Sequence, residues 1–248
     1  MEQPSRLAAA PPAIDPARTS LFLDFDGTLV DLVDRPQAVT VNADLSTLLA
    51  RLALRLEGRL AVVSGRSIAQ LADFFGPSSG TVALVGSHGA EVQTLGSTVV
   101  APQAPAALGK AEHLFAQAFI GNEGIFIEVK TLGVAIHYRL DPSAEAAAVS
   151  LAHDFASNHG LKLQRGKMMV EVRSAGHDKG SGIAALMNMP PFAGSVPIFL
   201  GDDLTDEPGF RRCSEIGGAG VLVGEPRPTA AQYWLPDVAA VHAWLAAQ

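Results

Sequence analysis

Two carboxylates stand two residues apart directly after a short apolar run near the start of the sequence. Asp24 and Asp26 belong to the segment Leu-Phe-Leu-Asp-Phe-Asp-Gly-Thr, which begins at Leu21. In an extended chain, residues i and i+2 point to the same side, so both carboxylates are expected to face one site. Two like charges this close are unfavourable unless a cation lies between them and the substrate. The pair therefore predicts carboxylate chemistry beside a bound cation.

Further polar residues follow other predicted strands. Ser64 comes directly after the apolar run Arg59 to Val63, and Asp202 comes just after the run Pro197 to Leu200. Lys179 lies at the predicted start of a helix, where a positive charge is unfavourable to the helix dipole, so its placement suggests another use. Because the carboxyl ends of parallel strands meet at one edge of a sheet, these groups are expected to share a crevice with the paired acids. The presence of these other polar residues favours a functional site at Asp24 and Asp26 over a solvated Asp-Gly turn.

These segments resemble the four motifs of the haloacid dehalogenase superfamily of phosphatases, in that family's order. The run containing Asp24 matches the first motif, Ser64 the second and Lys179 the third. The segment Gly201-Asp202-Asp203-Leu204-Thr205-Asp206 matches the fourth. The resemblance covers nearly the whole chain and implies a phosphatase.

The resemblance implies a role for each catalytic residue. Asp24 is expected to be the nucleophile that takes the phosphoryl group, and Asp26 the acid that protonates the leaving oxygen and then the base that activates water. Ser64 would offer its hydroxyl to the phosphate oxygens, and Lys179 would bridge the nucleophile and the transferring phosphate. Thr28 would either hold the phosphate or cap the loop.

The resemblance also implies a Mg²⁺ cofactor. This ion takes oxygen ligands in octahedral geometry, typically one or two carboxylates together with substrate phosphate and water. The family pattern assigns it the Asp24 carboxylate, the Asp26 backbone carbonyl and Asp202. Either Asp203 or Asp206 would support it, and we include Asp203 in the expected ligand set.

A second, more specific resemblance is to the trehalose-6-phosphate phosphatases within that superfamily. It rests on Ser87-His88-Gly89-Ala90-Glu91, Glu128-Val129-Lys130, His137-Tyr138-Arg139, Gly166-Lys167 and Glu171-Val172-Arg173. It implies that Glu128, Lys130 and Glu171 contact the glucose units, and that Arg139 and Lys167 lie near the phosphate or the closing edge of the cap. The remaining expected substrate contacts are Thr28, Arg66, His88 and Gly89. His137 is expected to be structural.

Hydrophobic periodicity predicts an α/β fold, a doubly wound and mostly parallel sheet with an inserted α+β cap. The resemblance implies that the core is of the haloacid dehalogenase type. Strands and helices alternate up to Val100, and the pattern returns after Gly176. Between them the order α, β, β, α, β, β indicates a small antiparallel sheet with two helices. We expect a flexible tail over residues 1–20, a Rossmann-like catalytic core over 21–102 and 177–248, and a specificity cap over 103–176.

Composition narrows the function classes. The net charge is −7 without a block of lysines and arginines, which argues against a nucleic-acid partner. The N-terminal segment has no apolar core, so we expect neither a signal peptide nor a membrane partner. A single cysteine, Cys213, fits a cytoplasmic protein. The resemblance implies a small sugar phosphate as partner, with a functional link to a trehalose-phosphate synthase; the sequence is silent on oligomeric state.

Three alternatives stay open at this point. Another sugar-phosphate phosphatase, such as one acting on sucrose phosphate, would differ only in the cap residues. A receiver-type signalling domain also uses an aspartate, an acidic pocket and a lysine, but it is about half this length and needs no cap. A silent sugar-phosphate sensor would normally have a damaged nucleophile or metal motif, whereas Asp24, Asp26, Lys179 and Asp202 are all present.

Overall fold

The computed structural model describes residues 10–33 and 39–248, which divide into two compact units. One unit comprises the described residues up to Ala101 together with Asp178–Gln248, and the other comprises Pro102–His177. These bounds differ by one residue at each junction from those expected from the sequence. No helix of the described ranges is both long and apolar enough to cross a membrane.

Eleven strands and seven α-helices make up the regular structure of the described residues. The strands are β1 Thr19–Asp24, β2 Leu60–Val63, β3 Ala83–Gly86, β4 Glu91–Gln93, β5 Phe126–Lys130, β6 Gly133–His137, β7 Lys162–Gly166, β8 Met169–Arg173, β9 Val196–Gly201, β10 Ala219–Val223 and β11 Tyr233–Leu235. The helices are α1 Ala43–Arg55, α2 Ile68–Phe75, α3 Ala107–Ala118, α4 Glu145–His159, α5 Lys179–Met187, α6 Glu207–Glu215 and α7 Val238–Ala246.

The first unit is built on a sheet with the strand order β11-β10-β9-β1-β2-β3-β4. All neighbours are parallel except β3 and β4, which are antiparallel. Leu21 and Leu23 of β1 pack on one face with α1, α2 and α7, whereas Phe22 packs on the other face with α5 and α6. Both faces are thus covered, which is why the strands are apolar throughout. The expected doubly wound, mostly parallel sheet is confirmed.

The second unit is a four-stranded antiparallel sheet in the order β5-β6-β8-β7. Val134, Ile136, Val170 and Val172 from its central strands pack against α3 and α4 in a separate core cluster. Because side chains alternate along a strand, the intervening residues lie on the opposite face of the sheet. That face carries the charged residues described below. The expected α+β architecture is confirmed.

Two short edge strands were not expected from the sequence, in which Gly220 to Val223 is the last apolar run that predicts a strand. Tyr233–Leu235 forms β11 parallel to β10. Glu91–Gln93 forms β4 antiparallel to β3 at the other edge. Both strands have only three residues, which is too short for their alternation to be recognised in a sequence.

The flexible tail expected over residues 1–20 is also wrong for its second half. Ile14 lies in the core, and its backbone N–H donates to Oε1 of Gln248 at 3.0 Å. Thr19 and Ser20 are buried residues of β1. Residues 1–9 lie outside the described part of the chain.

Candidate active site

The carboxyl edge of the parallel sheet gathers the motifs of the first unit. β1 ends at Asp24, β2 ends one residue before Ser64, β3 ends just before the Ser87-His88-Gly89 turn, and β9 ends one residue before Asp202. The register pairs Asp24 with Val63 across the two central strands. The strand ends are therefore level, and their polar side chains share one edge, as the sequence predicted.

Lys179 links two buried carboxylates at the centre of this edge. Its Nζ donates to Oδ1 of Asp24 and to Oδ1 of Asp206, each at 2.6 Å, and all three side chains are almost fully buried. Asp178 caps α5 through the N–H of Ser181, which fixes Lys179 as the first helical residue. Burial lowers the lysine pKa, but the charges of Asp206 and Asp24 outweigh it and the net pKa is raised. Lys179 is therefore a permanent cation at this site.

Burial disfavours the ionised forms of Asp24 and Asp202. Burial raises the pKa of Asp24 well above its ordinary value despite Lys179, and the charges of Asp206 and Asp202 add to the rise. Burial likewise raises the pKa of Asp202 to about 7, with Asp206 as the next cause. One lysine therefore does not balance the acidic charge gathered here, and a further cation would stabilise the carboxylates.

Three carboxylates are arranged to hold that cation. Oxygens of Asp24, Asp202 and Asp206 all lie within 4.8 Å of one another. Gly27, with φ of +82°, makes room for Asp202, because a Cβ there would lie 2.1 Å from Oδ2 of Asp202. Hard oxygen donors around an uncompensated charge suit Mg²⁺. The donor set fits the expected cofactor.

Asp203 lies outside this cluster. Its side chain is exposed and accepts from the N–H of Leu204 at 2.6 Å, which caps the short 3₁₀ turn Leu204–Asp206. Asp206 is fully buried, accepts from the N–H of Asp203 at 2.8 Å through Oδ2 and still bonds Lys179 through Oδ1. Of the two acids left open by the sequence, Asp206 is the one beside Asp24 and Asp202.

Asp26 is held by a neighbour that the sequence assigned to substrate. Nε and Nη2 of Arg66 donate to the two carboxylate oxygens of Asp26, at 2.7 and 2.6 Å. The guanidinium also lies over the rings of Phe74 and Phe25, at 4.8 and 5.7 Å from their centroids. Aromatic stacking and the fork of hydrogen bonds fix its plane. In this structure Arg66 therefore orients Asp26.

Ser64 and Thr28 are buried hydroxyl residues of this edge. Oγ of Ser64 accepts from the N–H of Arg66 at 3.1 Å. Thr28 is fully buried, and its hydroxyl has no hydrogen-bond partner among the described residues. It therefore does not cap the loop, and a buried hydroxyl without a partner is costly.

The Ser87-His88-Gly89 turn contacts both the second motif, at Ser64 and Gly65, and the start of the third, at Asp178. His88 has φ of +54° and Ser87 φ of +48°, which are uncommon for residues with side chains. The His88 N–H donates to the carbonyl of Ser64 at 3.0 Å, and a Cβ on Gly65 would lie 2.6 Å from Cε1 of its ring. Gly89 closes against the carbonyl of Asp178, where a Cβ would lie at 1.9 Å. Backbone strain of this kind concentrates at functional sites.

The second unit carries its own polar cluster on the face of the sheet opposite α3 and α4. Nζ of Lys130 donates to Oε2 of Glu171 at 2.7 Å and lies 3.8 Å from Oε2 of Glu128. The register sets both glutamates beside Ala135, whose small side chain leaves space between them. Nε2 of His137 lies 2.9 Å from the same Glu128 oxygen. Neighbouring donors and acceptors of this kind suit sugar hydroxyls.

Arg139 and Lys167 lie apart from that cluster within the second unit. Lys167 is an exposed residue of the two-residue turn between β7 and β8. Nη2 of Arg139 reaches the backbone carbonyl of Lys167 at 3.5 Å. The two basic residues are thus neighbours at one end of the sheet.

The Trehalose-phosphatase family model matches residues 22–239. The chain belongs to this family. It is 37% identical over 84% of its length to a probable trehalose-phosphate phosphatase of Sinorhizobium fredii, covering 79% of that protein. It is 36% identical over 92% of its length to the trehalose-6-phosphate phosphatase of Escherichia coli, covering 86% of that protein.

Solved structures agree with the family assignment. The C-terminal domain of C. albicans trehalose-6-phosphate phosphatase aligns with a TM-score of 0.79 at 25% identity, over 93% of this chain and 91% of that one. A Bacteroides thetaiotaomicron phosphatase of the haloalkanoate (HAD) superfamily shares the fold at 16% identity. The two resemblances drawn from the sequence are confirmed.

Sequence reasoning missed two residues of this family member that contact its expected site residues. His137, expected to be structural, contacts Glu128. Arg227 donates to the backbone carbonyl of Asp203, lies 3.5 Å from that of Asp202 and forms an ion pair with Glu207. Only the alternation of β6 could have indicated His137, by setting it on the face of Ala135. No sequence signal points to Arg227.

Proposed function

We propose that this phosphatase-family chain hydrolyses trehalose 6-phosphate to trehalose and inorganic phosphate through a phosphoaspartate. The observation that carries the proposal is the position of Asp24 at the end of β1. There its Oδ1 bonds Lys179 at 2.6 Å, within a family whose relatives are named for this substrate. A buried carboxylate beside a permanent cation is suited to receive an anionic group.

The chemistry divides into two displacements. A carboxylate oxygen of Asp24 attacks phosphorus, and the bond from phosphorus to the sugar oxygen breaks while Asp26 gives that oxygen a proton. Asp26 then takes a proton from water, whose oxygen attacks the aspartyl phosphate and returns Asp24 as a carboxylate. Lys179 neutralises the phosphoryl oxygens, and Ser64 and Thr28 offer hydroxyl donors to them.

Asp24, Asp202 and Asp206 would hold Mg²⁺, together with the Asp26 backbone carbonyl expected from the family pattern. The bound ion would neutralise the phosphate charge that otherwise repels the nucleophile. Asp206 takes the place of Asp203 in this ligand set because the Asp203 side chain caps the 3₁₀ turn. The unbalanced acidic charge of the three buried or partly buried carboxylates supports the proposal.

Glu128, Lys130 and Glu171 are the proposed contacts to the glucose units. Their ion pairs hold a fixed pattern of acceptors and donors, which favours a rigid disaccharide over a small ester. Arg139, Lys167, His88 and Gly89 are proposed to contact the phosphate end or the edge of the sugar. A trehalose-phosphate synthase is the proposed source of this substrate. The cytoplasm is the proposed location of the protein.

The deciding experiment is phosphate release from a panel of sugar phosphates. Trehalose 6-phosphate should exceed sucrose 6-phosphate, glucose 6-phosphate and an aryl phosphate in kcat/KM by at least ~10²-fold, about 3 kcal/mol of discrimination. Turnover should stop in excess chelator and return with Mg²⁺. A preference for sucrose 6-phosphate would reassign the substrate, and full activity in chelator would reject the metal.

A further inference from the structure

Arg227 lies outside all four motifs, in the loop between β10 and β11, and contacts the fourth motif directly. Its Nη2 donates to the backbone carbonyl of Asp203 at 2.8 Å and lies 3.5 Å from that of Asp202. Its Nη1 donates to Oε1 of Glu207 and to the carbonyl of Pro228 at 3.2 Å. One guanidinium therefore joins its own loop, the start of α6 and the backbone that carries Asp202.

Glu207 completes this junction from the helix side. Its second oxygen, Oε2, accepts from the N–H of Ala230 at 2.8 Å, so both carboxylate oxygens bind the Arg227 loop. Glu207 is buried, and the Arg227 side chain is about one-fifth exposed. The planar guanidinium bonds the buried Glu207 carboxylate through Nη1 and the Asp203 carbonyl through Nη2, which makes a rigid link. The loop after β10 is thereby tied to the loop after β9.

We infer that Arg227 is a positioning residue that holds Asp202 in place to bind the divalent cation. The position of Asp202 is restricted at both ends of the residue. Its carboxylate fills the space left by Gly27, and its backbone carbonyl lies beside Arg227. Releasing the backbone at Asp202 and Asp203 would let the carboxylate withdraw from Asp24. The inference rests on the proposed function, since it takes Asp202 as a metal ligand.

A purely structural strap would behave differently. Such a strap would change thermal stability and leave the affinity for Mg²⁺ untouched. A positioning residue changes the affinity for the ion even where the fold is intact, because groups that orient a metal ligand typically contribute roughly 10- to 100-fold to metal affinity. The two roles are therefore separated by Mg²⁺ binding measured without turnover.

The test is calorimetric titration of Mg²⁺ into the full chain, with a thermal melt of each protein. Arg227→Met should weaken Mg²⁺ binding by roughly tenfold. Activity should recover at high Mg²⁺, with the KM for trehalose 6-phosphate unchanged. Arg212→Met is the matched control, because Arg212 forms an exposed ion pair with Glu215 on the same helix as Glu207. The control should bind Mg²⁺ as the unsubstituted protein does.

Two further variants cover a failure to fold. Glu207→Gln combined with Arg227→Met leaves no unpaired buried charge, and Arg227→Lys keeps the positive charge without the fork. Weakened Mg²⁺ binding in any folded variant that lacks the Arg227 guanidinium supports the inference. Unchanged Mg²⁺ affinity in those variants overturns it while the proposed function stands. Absence of Mg²⁺ binding by the unsubstituted protein overturns the metal site and the inference together.

Discussion

Arg66 and Asp26 form a two-pronged ion pair, with Nε and Nη2 of the guanidinium at 2.7 and 2.6 Å from the two carboxylate oxygens. The guanidinium of Arg66 also stacks on the ring of Phe74, and this contact holds the arginine independently of Asp26. The proposed acid of the reaction is thus oriented by a residue forty positions away in the chain. This relationship changes what is expected of Arg66.

Replacement of Arg66 should lower kcat with little change in KM. Arg66→Met keeps the stem on Phe74 but removes both hydrogen bonds, and we expect a loss in kcat of ~10²-fold, within the usual range for general acid–base catalysis. Arg66→Lys keeps the charge without the fork and should lose about tenfold. Steady-state kinetics checks both values. A higher KM at unchanged kcat would instead support the substrate contact expected from the sequence. Arg165→Met, which breaks an exposed pair with Glu145, is the control.

The two acids of the first motif should fail at different steps. Asp24→Asn removes the nucleophile, so no phosphoenzyme should form. Asp26→Asn leaves the nucleophile in place and should lower multiple turnover by ~10²-fold or more. Mass spectrometry of acid-quenched enzyme should find the added phosphate on Asp24. Phosphate on Ser64 or on a histidine would reject the mechanism.

Alanine at Glu128, Lys130 or Glu171 should affect substrates selectively. If these residues bind glucose units, kcat/KM for trehalose 6-phosphate should fall by tenfold or more at each position, about 1.4 kcal/mol per factor of ten. Hydrolysis of an aryl phosphate, which has no glucose unit, should stay within about threefold. An equal loss on both substrates would mean that the three residues only hold the second unit together.

His137 should act through Glu128. His137→Gln can keep a nitrogen donor near Oε2 of Glu128, whereas His137→Leu cannot. Only the leucine variant should therefore raise the KM for trehalose 6-phosphate, by roughly three- to tenfold, which is the contribution of a typical hydrogen bond. The KM of both variants for an aryl phosphate is the control measurement. Equal KM values in the two variants would mean that the ring packs against Phe126 and does not orient Glu128.

The metal-free protein should lose stability as the pH rises. Burial raises the pKa of Asp24 and brings that of Asp202 to about 7, whereas both are near 3.9 in an unfolded chain. Above pH ~4 the unfolded chain releases protons that the folded chain keeps, so the free energy of unfolding falls up to at least pH ~7.

Thermal melts in chelator should therefore show the Tm falling by several degrees between pH 5 and pH 8, at about 2–4 °C per kcal/mol for a chain of this size. Added Mg²⁺ should raise the Tm more at pH 8 than at pH 5, because it binds the ionised carboxylates. Asp202→Asn removes one of the two groups and should flatten the profile in chelator. A flat profile in the unsubstituted protein would contradict the assigned pKa shifts.

Most elements could be predicted because their signals are local. Ser67 and Asp178 stand directly before α2 and α5 and are their N-caps, and capping of this kind is a signal that a short stretch of sequence carries. The strand β11 could not be predicted in this way. Its three residues form a strand through pairing with β10, and that pairing depends on a neighbour ten or more residues away.

The sequence by itself determined the chemistry available to this protein. Its motifs predict a nucleophile, an acid, a lysine and an acidic loop, and the alternation of apolar runs with helices predicts that most of these groups follow parallel strands. Those signals can be recognised in the sequence because strand periodicity and helix capping depend only on residues close together in the chain.

Only the tertiary structure decided which of these residues touch. Asp203 and Asp206 are both acids at the start of a helical segment, and the sequence does not separate them; one caps the turn and the other reaches Lys179. Arg66 with Asp26 and Arg227 with Glu207 join different loops. Such contacts form when the sheet aligns its strand ends, and nothing in the spacing of the residues along the chain encodes that distance.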